Sequence, residues 1–323
     1  LEDLTMIKTP LCAQLGVEHP IMLAGMGGVS YAEVVAAVSN AGGFGTLGMA
    51  GTSAKFIESQ MKRVRELTDK PFGVDLLSAQ PESLTAAIDV IIANGARAFV
   101  AGLGVPYPIV KQLKDNGVLV FAVIGKVDHA RKAEQAGCDG VIAQGTEGGG
   151  HTGQVASVAL WPQVVDAVKI PVVAAGGLYD GRGLAAALAL GCQGVWMGTR
   201  FIASTEAHAG GPYKDAIVGM SESDTTISRG FTGKTLRALK NKTTERFEQE
   251  PAKPFPMQAM ESAQENRLGP IAGVVDNLDP ETMCFAVGQG GGGVRKVLSC
   301  AQIIDRTLAE AQATLARIGK LAA

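Results

Sequence analysis

The sequence predicts an α/β protein, a (β/α)8 TIM barrel with a helical insertion before the last barrel helix. Between residues 20 and 199, eight short apolar runs alternate with helical segments. The runs are apolar throughout rather than alternating, the pattern of parallel strands covered by helices. Most helical segments end in Asn-Gly, Ala-Gly or Leu-Gly, and glycine at a helix exit accepts the left-handed turn that stops it.

In order, the strands are expected at 20–24, 44–47, 72–76, 98–101, 118–123, 140–143, 172–175 and 194–197. Helices are expected between them at 30–41, 53–67, 81–94, 106–116, 126–136, 155–168 and 181–190. Ser30 followed by Glu33 predicts a capping box on the first of these. Gly42, Gly95, Gly117, Gly137 and Gly191 supply the exits. An open doubly wound sheet is the rival, but its first turn would carry a dinucleotide fingerprint, and Gly25-Met26-Gly27-Gly28-Val29 lacks the full spacing. After Thr199 the rhythm breaks. Prolines at 251, 254, 256, 270 and 280 punctuate a more polar stretch, with helical pieces at 213–221 and 256–267 and a glycine run at 290–293. Residues 294–318 then read as a long amphipathic helix. The expected organisation is a barrel core over 1–205, a mostly helical cap over 206–288, and 289–323 completing the barrel. A cap would cover the C-terminal strand ends, where barrel active sites lie; the alternative is a subdomain that only stabilises.

Composition removes other classes. With 46% hydrophobic and 19% charged residues in 323, the chain is too apolar to be disordered. A net charge of -2 offers no basic face for nucleic acid. Cys12, Cys138, Cys192, Cys284 and Cys300 are far apart, which excludes a disulfide scaffold and suits a reducing compartment. No apolar run approaches the roughly 20 residues of a membrane span, and no basic segment leads into a long apolar one. A cytoplasmic location is expected.

Two strand exits point to an anion. Ala175-Gly176-Gly177 follows the seventh strand and Met197-Gly198-Thr199 the eighth. A phosphate needs several backbone N–H groups aimed at one spot, and a Cβ would block the approach. Arg200 is read two ways, as added charge or as a group paired elsewhere. His151 ends a glycine-rich loop, 144–153, at the sixth strand exit. Its ordinary pKa makes it the natural proton-transfer group there. Glu147 either orients that ring or caps the next helix. Asp75 and Gln144 are polar groups at the mouth able to bond a planar heterocycle; Asp75 is equally read as a helix cap. No histidine or cysteine spacing suits a metal, and GxSxG is absent.

The motifs His19-Pro20-Ile21-Met22 leading into Gly25-Met26, Ser39-Asn40-Ala41-Gly42-Gly43, the run from Gly145 to Gly153, Ala175-Gly176-Gly177 with Asp180-Gly181-Arg182, and Met197-Gly198-Thr199-Arg200-Phe201 carry a resemblance. The chain resembles the FMN-dependent nitronate monooxygenases, once called 2-nitropropane dioxygenases, and their relatives the flavin-dependent enoyl-ACP reductases. The resemblance covers residues 10–205 and resumes at Gly288-Gln289-Gly290. It implies a barrel with non-covalent FMN. The phosphate would lie on Gly176, Gly177, Gly198 and Thr199, beside Ala175, Met197 and Gln289. The ring would sit over Ala24, Gly25 and Met26, with Asp75, Gln144, Gly149 and Gly150 nearby. His151 matches the family's catalytic histidine. Relatives often carry Asn where Asp75 stands, and a carboxylate there disfavours the anionic reduced flavin unless it is protonated or turned away.

The leading expectation is oxidation of alkyl nitronates or nitroalkanes by molecular oxygen to a carbonyl compound and nitrite, with His151 as base. Met22, Met26 and Met49, with His151, would line the substrate pocket. The first rival is an NAD(P)H-dependent reductase of enoyl thioesters or quinones on the same flavin barrel. The second is a barrel that binds a phosphate-bearing ligand without catalysis. A homodimer stays open.

Overall fold

The computed structural model describes residues 7–77 and 81–321. Its strands are β1 (Ile21–Leu23), β2 (Gly45–Gly48), β3 (Phe72–Leu77), β4 (Ala98–Gly102), β5 (Leu119–Ile124), β6 (Gly140–Gln144), β7 (Gly150–His151), β8 (Val172–Ala175), β9 (Gly194–Met197), β10 (Thr225–Ser228) and β11 (Leu236–Leu239). Eight of them form one parallel sheet in the order β1-β9-β8-β6-β5-β4-β3-β2. A parallel bridge between Met22 and Phe44 joins its two edges, with Leu23 N–H donating to Phe44 O at 2.9 Å. The sheet is therefore closed, which removes both edges. The two-residue β7 lies outside, so the seventh and eighth barrel strands are β8 and β9.

The strand residues divide between two cores. Inside the barrel, Met22, Phe44, Val100, Phe121, Ile142, Val173 and Trp196 pack together, joined by Leu11 and Leu15 of the helix Pro10–Leu15. Leu11 reaches Gly194, the first residue of β9, so this helix plugs the N-terminal end of the barrel. Outside, the alternate strand residues meet the helices. Each large side chain buried this way contributes about 2–3 kcal/mol. The helix exits follow the expected device: Gly42, Gly95, Gly117, Gly137 and Gly191 all have φ between 65° and 88°.

One local expectation fails. Ser30 does not cap the helix Ala32–Asn40, whose N-cap is Tyr31. Its Oγ instead accepts from Met26 N–H at 2.7 Å and lies 3.2 Å from Met26 O, locking the loop after β1. A turn that closes on itself outcompetes a cap three residues further on.

The insertion carries the expected helices, Gly211–Gly219 and Met257–Gln264, and another at Lys242–Gln249. It also carries an antiparallel hairpin, β10 with β11. β7 adds to β11, pairing His151 with Leu236. Phe231, Leu236, Ala238 and Cys284 give this cap its own small core. Arg237 ties it to the barrel: its Nε donates to Thr146 O at 2.8 Å and its Nη1 to Thr225 Oγ1 at 2.9 Å. The last helix, Cys300–Gly319, starts on a capping box between Ser299 and Gln302 and packs against Gly181–Ala189, completing the barrel wall.

Candidate active site

The strand exits and the cap enclose a cavity of about 1060 Å³ at the C-terminal end of the barrel. Its floor is the loop after β1, where Ala24, Gly25 and Met26 all reach the cavity. Its walls include Asp75, Gln144, the run from Gly148 to Gly153, Ala175, Gly176, Gly177, Gly198 and Thr199.

The register pairs Ala175 with Trp196, so the exits of β8 and β9 leave the sheet side by side. Gly176 and Gly177 are both left-handed, with φ of 99° and 73°. Two consecutive residues of this kind turn their N–H groups to one side. Among the described residues, no backbone or side-chain acceptor meets the N–H of Gly176, Gly177 or Gly198. These half-buried glycines line the cavity, and a phosphate there would satisfy their N–H groups. Thr199 Oγ1 accepts from Gly288 N–H at 2.9 Å and keeps its own proton to donate. The residues present therefore fit the phosphate end of a flavin nucleotide. Arg200 takes no part. It is buried, its Nη2 donates to Ala203 O and Lys296 O at 2.6 and 2.7 Å, and burial lowers its pKa to about 10.

Asp75 sits at the end of β3, where its side chain faces the cavity floor. A Cβ on Gly25 would lie 2.5 Å from Asp75 Oδ2, so only glycine lets the β1 loop cross over this carboxyl. Among the described residues no cation pairs with it, and burial holds its pKa well above the usual carboxylate range. That direction favours the protonated carboxyl, which can donate a hydrogen bond, over the carboxylate.

His151 stands where β7 joins β11, on the cap side of the cavity. Gln144 Nε2 donates to its backbone O at 2.9 Å. Its Nε2 lies 3.0 Å from Thr232 Oγ1. With the proton on Nε2, Thr232 accepts it and Nδ1 is the free base; the opposite tautomer reverses the pair. Burial, with the Lys234 ammonium beside it, lowers the His151 pKa to about 4. The ring is therefore neutral at pH 7, with one nitrogen lone pair unprotonated.

Glu147 caps. Its carboxylate accepts from Ser157 N–H at 3.0 Å and Ser157 Oγ at 2.8 Å, at the start of Ser157–Ala167, and makes no bond to His151. Glu147→Ala is expected to cost about 1–2 kcal/mol and lower Tm by a few degrees in a thermal melt, with kcat little changed. A fall in kcat at constant Tm would return Glu147 to a part in orienting the ring.

Two residues expected to line the substrate pocket, Met22 and Met49, and one expected beside the cofactor, Met197, lie off the cavity wall. Met22 is fully buried inside the barrel, and Met49 is fully buried in the outer layer. Met197, 1% exposed, also packs outward. Apolarity marked them as buried, but a strand residue's face depends on barrel register. Of the three methionines expected to line the substrate pocket, only Met26 reaches the cavity. Gln289 is not on the wall either; its N–H donates to Glu147 O at 3.0 Å, while Gly288 and Gly290 on either side do line it.

The cap also brings residues that no motif announced: Thr232, Lys234, Arg229 and Phe255. Leu103, just after β4, holds φ of 54° at the wall, a strained conformation costing about 1–2 kcal/mol. Among the described residues, no cluster of three or more His, Cys, Asp or Glu could hold a metal, and no helix is long and apolar enough to cross a membrane.

A closed parallel barrel, a glycine cradle between its last two strand exits and a shielded neutral imidazole above define a class, the flavin-dependent barrel oxidoreductases. The chain belongs to the nitronate monooxygenase family, whose model matches residues 8–88 and 82–310. It is 44% identical to a Rhodococcus jostii protein described as (3aS,4S,5R,7aS)-5-hydroxy-7a-methyl-1-oxo-octahydro-1H-indene-4-carboxyl-CoA dehydrogenase; the match covers 72% of this chain and 66% of the relative, just under two thirds of its length. It is 34% identical to a probable nitronate monooxygenase of Staphylococcus aureus, over 75% of this chain and 81% of that one. Among solved structures, FabK from Thermotoga maritima superposes with a TM-score of 0.89 at 36% identity, covering 98% of this chain and 99% of FabK. The chain is a flavin-dependent oxidoreductase acting on small organic substrates.

Proposed function

We propose that this chain is an FMN-dependent oxidoreductase of acyl thioesters that exchanges electrons with NAD(P)H, the reading first held as the rival to nitronate oxidation. The observation that carries it is the size and reach of the cavity. At about 1060 Å³ it extends from the glycine cradle to Tyr107, Lys126 and Arg229 at the rim. Sites for single drug-sized ligands span roughly 300–1,000 Å³. A flavin and a short alkyl nitronate would leave much of this space to water, whereas a flavin with a long thioester or a dinucleotide would use it. The greater identity to a CoA-substrate dehydrogenase than to the Staphylococcus relative supports the same reading.

Gly176, Gly177, Gly198 and Thr199 would hold the FMN phosphate, and Ala24, Gly25 and Met26 would underlie the ring. FMN, when bound, supplies hydride acceptance and donation. Asp75, whose pKa is raised by burial, would offer a hydrogen bond to the ring's polar edge when protonated. His151 accepts the proton from the carbon next to the thioester carbonyl in the oxidative direction and returns it in the reductive one. Thr232 holds the ring in place, and the cap excludes water from the exchange.

The test is anaerobic reduction of the flavin-loaded protein. NADH or NADPH should bleach the oxidised flavin band, and a crotonyl-type thioester should restore it. Bleaching by a nitronate, with no response to either nicotinamide, would overturn the reading.

A further inference from the structure

Four permanent cations line the cavity, and Asp75, half-buried on its floor, is the one acid among the lining residues described. Lys126 and Lys132 stand on the barrel wall, before and within the helix Val127–Gln135, with His129 between them. Lys234 and Arg229 come from the cap loop joining β10 and β11. Their engagements differ. Lys132 pairs with Asp128 at 2.8 Å, and Lys234 lies 4.4 Å over the Phe255 ring. Among the described residues, neither Lys126 nor Arg229 has an ion-pair partner. Tyr107 belongs to the same patch: it lines the cavity and is 56% exposed.

In a chain of net charge -2, this concentration of positive charge on one concave surface favours a polyanion. The patch lies on the β4 and β5 side of the mouth, away from the β8 and β9 exits that would take the flavin phosphate. An exposed aromatic on the same wall as Lys126, which has no ion-pair partner among the described residues, and Lys132 suits a base stacked next to its phosphates. We propose that Lys126, Lys132 and Tyr107 form an anchoring subsite for the phosphorylated adenosine tail of a ligand whose reactive end reaches His151. The tail can belong to a CoA thioester or to NAD(P)H, which share this chemistry. The inference rests on the thioester and nicotinamide reading above and adds where specificity for the carrier resides.

The test uses flavin-loaded protein, the variants Lys126→Glu, Lys126→Gln and Tyr107→Ala, and two readouts. By calorimetry, adenosine 3′,5′-bisphosphate should bind the unaltered protein with an affinity that falls as salt rises. Lys126→Glu should weaken it by about tenfold or more, and Lys126→Gln by less, as charge removal and reversal demand. In steady state, KM should rise for the carrier whose tail uses the subsite while kcat holds. A rise for crotonyl-CoA and not for NADPH assigns the tail to CoA, the converse assigns it to the nicotinamide, and a rise for both makes the site shared. The matching N-acetylcysteamine thioester, which lacks the tail, should be unaffected. If no thioester turns over but the bisphosphate still binds and Lys126→Glu still weakens it, the subsite stands and the thioester reading falls. If neither Kd nor KM moves in any variant, the subsite is refuted.

Discussion

His151→Ala is expected to keep its flavin and lose about 10²- to 10⁴-fold in kcat, the range associated with removing a positioned general base. The imidazole combines cavity access, a neutral state at pH 7 and a locked orientation, through Thr232 Oγ1 at 3.0 Å and the β7–β11 pairing. Flavin content, read from the absorbance of purified protein, separates loss of chemistry from loss of cofactor. A variant that turns over within a few-fold of the parent would remove His151 from proton transfer. The pH behaviour adds an independent check. The folded pKa, about 4, lies below the unfolded 6.5, so the unfolded chain binds more protons between these values. The stability associated with a neutral His151 is complete above pH 6.5 and declines as pH falls toward 4. His151→Ala should flatten that part of the stability curve in denaturant titrations across this range.

The barrel was legible because each βα unit writes its signal locally. Apolar runs, periodic helices and exit glycines lie within about twenty residues of one another, and β8 and β9 occur at the expected positions, 172–175 and 194–197. The cap was legible only in part. Thr225–Ser228 and Leu236–Leu239 are short and mixed in polarity, and they become strands by pairing with each other and with Gly150–His151. That pairing is non-local, so no periodicity announces it. The glycine-rich loops stood out because few other jobs require glycine in such numbers. The cap's contributions did not: Thr232, Lys234 and Arg229 come from an unremarkable polar stretch and reach the cavity only because the hairpin folds back over the mouth. Glu147 and Ser30 show the same limit at close range. Residue type allowed two bonding choices for each, and tertiary packing selected one.

Gly198→Val carries the second large effect, because it separates the fold from the cofactor. Gly198 has φ of -104°, open to any residue. A Cβ there would meet Met26 Sδ at 3.4 Å and Ala24 Cβ at 3.5 Å, ordinary contact distances. The protein itself can therefore accept the added carbon, while a branched side chain on this cavity-lining turn would narrow the space proposed for the phosphate. Gly177 differs, since its φ of 73° makes any side chain cost about 1–2 kcal/mol before a ligand is considered. Thermal melts of the flavin-free forms should thus show Gly198→Val close to the parent and Gly177→Val clearly lower. On adding FMN, Gly198→Val should bind about a hundredfold more weakly, the loss of about 3 kcal/mol that two charge-assisted hydrogen bonds represent. Riboflavin, which has no phosphate, supplies the sharper comparison. The parent should prefer FMN over riboflavin strongly, and the variant should bind the two alike. Stoichiometric FMN retained by Gly198→Val, with the preference intact, would move the phosphate away from the β8 and β9 exits and, with it, the ring from the place proposed for it beneath His151.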